Sequence, residues 1–122
     1  MIAIDTSSFS RYLAGIVDRT TTVVDRVLTE RVGVLPAVVV TELLSKPLDP
    51  EIRATVLDLP LLPLLPDYWQ RAGDLRASLL RLGRKARLAD CLIAQSCIDN
   101  DAPLITYDRD FRHFENAGLK LL

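Results

Sequence analysis

The chain opens on "MIAID", four apolar residues in a row closed by Asp5. A short run that is apolar on both faces is the pattern of a buried parallel strand. Thr6, Ser7 and Ser8 follow, all residue types that cap helices, and Phe9, Tyr12 and Leu13 then continue a helix that Gly15 interrupts. Val23, Val24, Val27 and Leu28 recur at helical spacing in a second helix, Arg19–Arg31, with Gly33 as its stop. "VL" before Pro36 predicts a short strand. "PAVVVTELLSK" carries a conflict, because three valines favour a strand while Pro36 near a first turn and Leu43–Leu44 on the apolar face favour a helix. We read it as a helix. Pro47 and Pro50 break the chain before a short helix at Pro50–Leu57.

"LPLLPLL", from Leu59, predicts an irregular strand near a sheet edge, since prolines cannot donate to a ladder. A long helix over Pro66–Leu82 carries Tyr68, Trp69, Ala72, Leu75, Leu79 and Leu82 on one side, and "GRKAR" is a basic loop. "RLADCLIAQSCI", Arg87–Ile98, predicts a helix greasy on nearly every side, which belongs in an interior. "APLITYD" supplies a second core strand over Pro103–Tyr107, "DRDFRHF" a turn or short helix, and "LKLL" a final strand. Helices alternating with short buried strands predict an α/β fold. The expectation is a three-layer α/β/α sandwich around a mostly parallel sheet of about five strands.

Length and composition narrow this further. A chain of 122 residues suits one domain, residues 1–122, and 49% apolar with 25% charged residues argues against disorder. The net charge of −1 gives no global attraction for nucleic acid, so a polyanion must be met by a local patch. Cys91 and Cys97 lie six positions apart on one predicted helix and point in different directions, so they read as reduced core residues of a cytoplasmic protein. The proline-cut "LPLLPLLP" is too short to span a bilayer, and no basic segment precedes a hydrophobic run at Met1.

The acids change the picture. Asp5 ends the first strand, Asp108 follows "LIT", Asp90 opens the greasy helix, and Glu42 sits among Val40, Leu43 and Leu44. Capping explains a strand-end aspartate, and an exposed helix position explains a glutamate. Four such acids in apolar surroundings, two of them at the strand ends where open α/β sheets bind ligands, point instead to a shared site. Carboxylates gathered there repel one another, which a divalent cation relieves, and oxygen donors suit Mg²⁺ or Mn²⁺. His113 is the sole histidine and reads as a surface residue, so a zinc site finds no ligand set. No phosphate-binding loop of the GxxxxGK[ST] type occurs. Acids with Mg²⁺ polarise phosphoryl oxygens and activate water without a catalytic Ser, Cys or His.

"IDTSSF" with Asp5, "TEL" with Glu42, "ADCLIAQSC" with Asp90 and "LITYDRDF" with Thr106 and Asp108 resemble the ordered motifs of PIN-domain nucleases. The length and the ending are most similar to the VapC-type toxins of toxin–antitoxin pairs. The resemblance implies a Mg²⁺- or Mn²⁺-dependent endoribonuclease, often a homodimer, restrained by a cognate VapB-like antitoxin. It maps the metal-binding acids onto Asp5, Glu42, Asp90 and Asp108, with Ser7 and Thr106 as supporting hydroxyls. "TYDRDF" leaves the fourth acid open between Asp108 and Asp110; we prefer Asp108 and keep Asp110 as support.

Arg81, Arg84, Lys85 and Arg87 crowd the approach to Asp90, while Arg109 and Arg112 flank Asp108. A solvated loop is the plain explanation. An RNA-backbone contact by Arg84, Lys85, Arg87 and Arg112 is the functional one. Phe9, Tyr12, Tyr68 and Trp69 fit core packing or a protein interface better than base stacking. Two other functions compete: a PIN-like module without turnover that acts only through its partner, and a small-molecule phosphohydrolase. "IDTSS" lacks the second strand-end acid that the latter needs.

Overall fold

Strand β1 (Ile2–Ile4) runs between two parallel neighbours, β2 (Gly33–Val34) and β3 (Leu104–Ile105), in a computed structural model that describes residues 1–122. Ile2 and Ala3 register with Gly33 and Val34, and Ala3 and Ile4 with Leu104 and Ile105. The central place of β1 explains its composition, since Ala3 and Ile4 are fully buried. Helices α1 (Thr6–Leu13), α2 (Arg19–Thr29), α3 (Ala37–Leu44), α4 (Pro50–Asp58), α5 (Tyr68–Arg81) and α6 (Leu88–Asp99) pack around this sheet, and a 3₁₀ segment covers Arg109–Ala117. The expected α/β/α arrangement on a parallel sheet is the one the chain adopts.

The sheet has three regular strands where about five were expected. The two outer segments are present as single parallel bridges, Leu35 with Leu61 and Leu104 with Leu121. Pro60 and Pro63 flank Leu61 and supply no N–H, so pairing there cannot extend beyond one position. β3 keeps only two of the five residues in Pro103–Tyr107, because Thr106 and Tyr107 turn their hydrogen bonds toward α1.

Gly33 lies within β2 rather than stopping α2. The helix ends at Thr29, and Arg31 makes the left-handed turn with φ 57°. Gly33 is needed for close approach: a Cβ there would meet Val27 Cγ1 at 3.1 Å and Ile4 Cδ1 at 3.3 Å. The valine-rich segment is helical, with Val39 and Leu43 buried and Pro36 just outside its first turn. α5 begins at Tyr68, because Asp67 is left-handed with φ 61° and breaks the run from Pro66.

Helix α6 forms the interior support of the site. Cys91, Ile93, Ala94 and Cys97 are buried, and α6 packs against α5, α3 and the 3₁₀ segment. Both cysteines are free, as their spacing required. The Tyr68 hydroxyl donates to the Leu92 carbonyl at 2.6 Å, and Arg71 forks onto Asp99, which Gln95 also reaches at 2.9 Å. Tyr68 and Phe9 are core residues, whereas Trp69 is exposed. No helix is long and apolar enough to cross a membrane.

Candidate active site

Asp5 sits at the carboxyl end of the central strand because β1 stops where α1 starts. As the N-cap of α1 it accepts the Ser8 N–H at 2.8 Å, the bond that an N-terminal helix turn asks of its cap. Three hydroxyls also converge on it: Ser8 at 2.6 Å and Ser7 at 2.8 Å from α1, and Thr106 at 2.5 Å from the end of β3. Asp5 is 2% exposed, and burial raises its pKa although the hydroxyls of Ser8, Thr106 and Ser7 oppose the shift. Its orientation is therefore fixed by both strands that end at the site.

Thr106 also accepts the Asp108 N–H at 2.9 Å. Asp108 caps the 3₁₀ segment by accepting the Asp110 N–H at 2.9 Å. Glu42, on α3, accepts from the Thr6 hydroxyl at 2.6 Å. Asp90 lies in the first turn of α6, but Arg87 is the N-cap residue and no side chain caps this helix. Capping therefore does not account for Asp90. Burial and the Asp108 carboxylate push its pKa up to about 6, Glu42 and Asp5 add to the shift, and Arg87 opposes it. No hydrogen bond takes part in that balance.

Asp5, Glu42, Asp90 and Asp108 thus line one cleft, together with Thr6, Ser7, Ser10, Lys46 and Arg87. Elements far apart in the chain bring them to the end of β1 and β3, where parallel sheets place ligands. Asp110 is not part of this lining. It pairs with Lys85 at 3.4 Å. His113 is half-buried, its Nδ1 donating to the Lys85 carbonyl at 3.2 Å.

Of the basic residues, Arg87 reaches the acid cleft, while Arg109 and Arg112 line a neighbouring hollow that shares Asp108 with it. Arg84 borders a third hollow with His113 and does not reach the acids. Sequence reading missed Thr6, Ser8 and Lys46. Thr6 and Ser8 were recognisable as capping types but not as partners of Glu42 and Asp5. Lys46 lies just past the end of α3, beyond its C-cap Ser45, and lines the cleft with Glu42.

The donor chemistry fits a hard divalent cation: carboxylates only, one of them without a hydrogen bond and destabilised as an anion by its neighbours. As they stand, no three acids are close enough to share an ion. Glu42 is turned to Thr6 and Asp108 to the Asp110 amide, so the acids share a cleft without forming a closed cage.

The fold and cleft define a class: parallel α/β domains with an acidic pocket beyond the strand ends. The PIN domain model matches residues 2–117, and the chain belongs to the PIN domain family. The fold is similar to a chain of VapBC2 from Rickettsia felis, whose crystal structure includes a DNA fragment from its promoter. That match has a TM-score of 0.75 and 22% identity over 100% of this chain and 98% of that one. It is also similar to a chain of VapBC-5, of the VapBC toxin–antitoxin family, from Mycobacterium tuberculosis. There the TM-score is 0.63 and the identity 22%, covering 99% of this chain and 98% of that one. No curated protein matches the sequence.

Proposed function

We propose that the chain is a Mg²⁺- or Mn²⁺-dependent endoribonuclease, the toxin of a toxin–antitoxin pair. The observation that carries this reading is the convergence of Asp5, Glu42, Asp90 and Asp108 on one cleft, with Asp90 left without a hydrogen-bond donor. These acids would hold the metal, which supplies Lewis-acid polarisation of a phosphodiester and activation of water. Ser7 and Thr106 orient Asp5. Arg87 at the cleft and Arg112 in the adjoining hollow hold the RNA backbone by charge rather than by sequence, with Arg84 and Lys85 as more distant contacts. Membership of the PIN family and the likeness to VapBC structures support a VapB-like antitoxin as partner, a cytoplasmic location, and a homodimer of chains that each act as one domain.

The test is cleavage of a labelled structured RNA by purified protein in Mg²⁺ or Mn²⁺. Wild type cleaves, and Asp5→Asn and Asp90→Asn do not; intact RNA at every metal concentration overturns the reading. One observation favours a non-catalytic PIN-like module acting through its partner: Glu42 and Asp108 are engaged within the protein. That module would bind its antitoxin equally well with either acid replaced, and would cleave nothing.

A further inference from the structure

The loop that follows β3 carries Asp108 into the acid cleft and Thr106 onto Asp5 of that cleft, and between them stands Tyr107, 54% exposed. Leaving a tyrosine ring in water beside a polar cleft gains nothing by burial. Its surroundings nevertheless hold it in place. The Arg11 guanidinium carbon lies 3.9 Å from the ring centroid, covering one face. Arg11 cannot swing freely, because its Nε and Nη2 both donate to Asp18 Oδ2, at 3.2 and 2.5 Å. The Tyr107 backbone N–H donates to Ser7 Oγ at 3.2 Å, and Ser7 in turn donates to Asp5. The ring is thus backed by a planar cation and tied through its own backbone to the central acid.

With one face covered and more than half of the residue accessible, the uncovered side of the ring is open. Tyr107 also lines the neighbouring hollow of about 330 Å³ with Arg109 and Arg112. That hollow meets the acid cleft at Asp108, and its Thr106 donates to Asp5 of the cleft, so the two are near enough for one strand of nucleic acid to occupy both. Two arginines suit a phosphate, and a rigid aromatic face suits a base.

We infer that Tyr107 is a stacking platform for a nucleobase of single-stranded RNA, next to the phosphodiester held in the acid cleft, with Arg11 as its backing. The inference rests on the ribonuclease reading for the identity of the ligand. It adds a base-binding subsite that accepts any base, since every base has a π-face.

The experiment measures binding of a short fluorescein-labelled single-stranded RNA by anisotropy, in Ca²⁺, with the recovered RNA checked on a gel. A matching series carries one abasic nucleotide at each position in turn. Tyr107→Ala should weaken binding about tenfold, and Tyr107→Phe should bind as wild type does. One abasic position should weaken wild type by a similar factor and Tyr107→Ala no further, because the two changes remove one contact. In a Trp69→Phe background, Tyr107→Trp should lose indole fluorescence on adding RNA. Unchanged affinity of a folded Tyr107→Ala protein, full additivity of the two penalties, or no RNA binding by wild type overturns the proposal. Cleavage in Mn²⁺ is scored separately: RNA cut normally with no Tyr107 effect removes the platform alone, and a Tyr107 effect without cleavage removes the nuclease reading alone.

Discussion

The Thr106 hydroxyl donates to Asp5 Oδ2 across 2.5 Å, joining residues 101 positions apart and locking the end of β3 to the end of β1. The same oxygen accepts the Asp108 N–H, so one side chain sets two of the four acids of the cleft. Thr106→Val keeps the shape and removes both bonds, leaving a buried carboxylate short of a donor. We expect a loss of about 1–3 kcal/mol in urea unfolding, with Thr106→Ser retaining most of it. RNA cleavage should fall in Thr106→Val and persist in Thr106→Ser.

Asp90 gives the stability a pH dependence of known sign. Its pKa rises from 3.8 in the unfolded chain to about 6 in the fold. Below the lower value both states hold the proton, and between the two only the folded state does. Stability from this group is therefore fully present in acid and is lost as pH rises through about 6. Because the carboxylate faces an open cleft, solvent screening reduces the effect to about 1–2 kcal/mol. Without divalent metal, Asp90→Asn should exceed wild type in stability by that amount at neutral pH and match it near the lower pKa. Denaturation curves of both proteins across this range check it; parallel curves refute the electrostatic account.

A cation that draws these acids together should stabilise the fold. Mg²⁺ or Mn²⁺ at about 100 times its dissociation constant adds about 2.7 kcal/mol by mass action, seen as a higher Tm at neutral pH. The rise should be much smaller in Asp90→Asn. Coincident melting curves with and without metal would show that the cleft binds none.

Gly33 is a fourth lever. Its added Cβ would meet Val27 and Ile4 at 3.1 and 3.3 Å, side chains of the packed core. Gly33→Ala should cost about 1–3 kcal/mol, read by thermal or urea unfolding. The backbone there has no left-handed geometry, so the loss reports crowding alone.

The elements most legible in the sequence were those whose burial leaves a plain pattern. β1 is apolar on both faces because it has a neighbour on each side, and α6 is apolar all round because helices and the 3₁₀ segment enclose it. The valine-rich helix was legible only by letting Pro36 and the leucines outweigh strand propensity. Gly33 was misleading, since a glycine that ends a helix and one that admits a neighbouring side chain look alike in one dimension. The cleft acids were visible as carboxylates in apolar company. Their partners were not: Thr6 and Glu42 meet through tertiary folding across 36 positions, and no local rule links them. Asp110 shows the same limit, because its pairing with Lys85 follows from the turn of the 3₁₀ segment and not from the order of letters.

Pro60 and Pro63, on either side of the single bridge at Leu61, have a consequence for assembly. Two missing amide hydrogens leave that border of the sheet a poor template for a foreign strand. Growth by β-augmentation is disfavoured there, which protects the protein from ribbon-like polymerisation. A companion approaching from that direction must grip side chains rather than add to the backbone ladder.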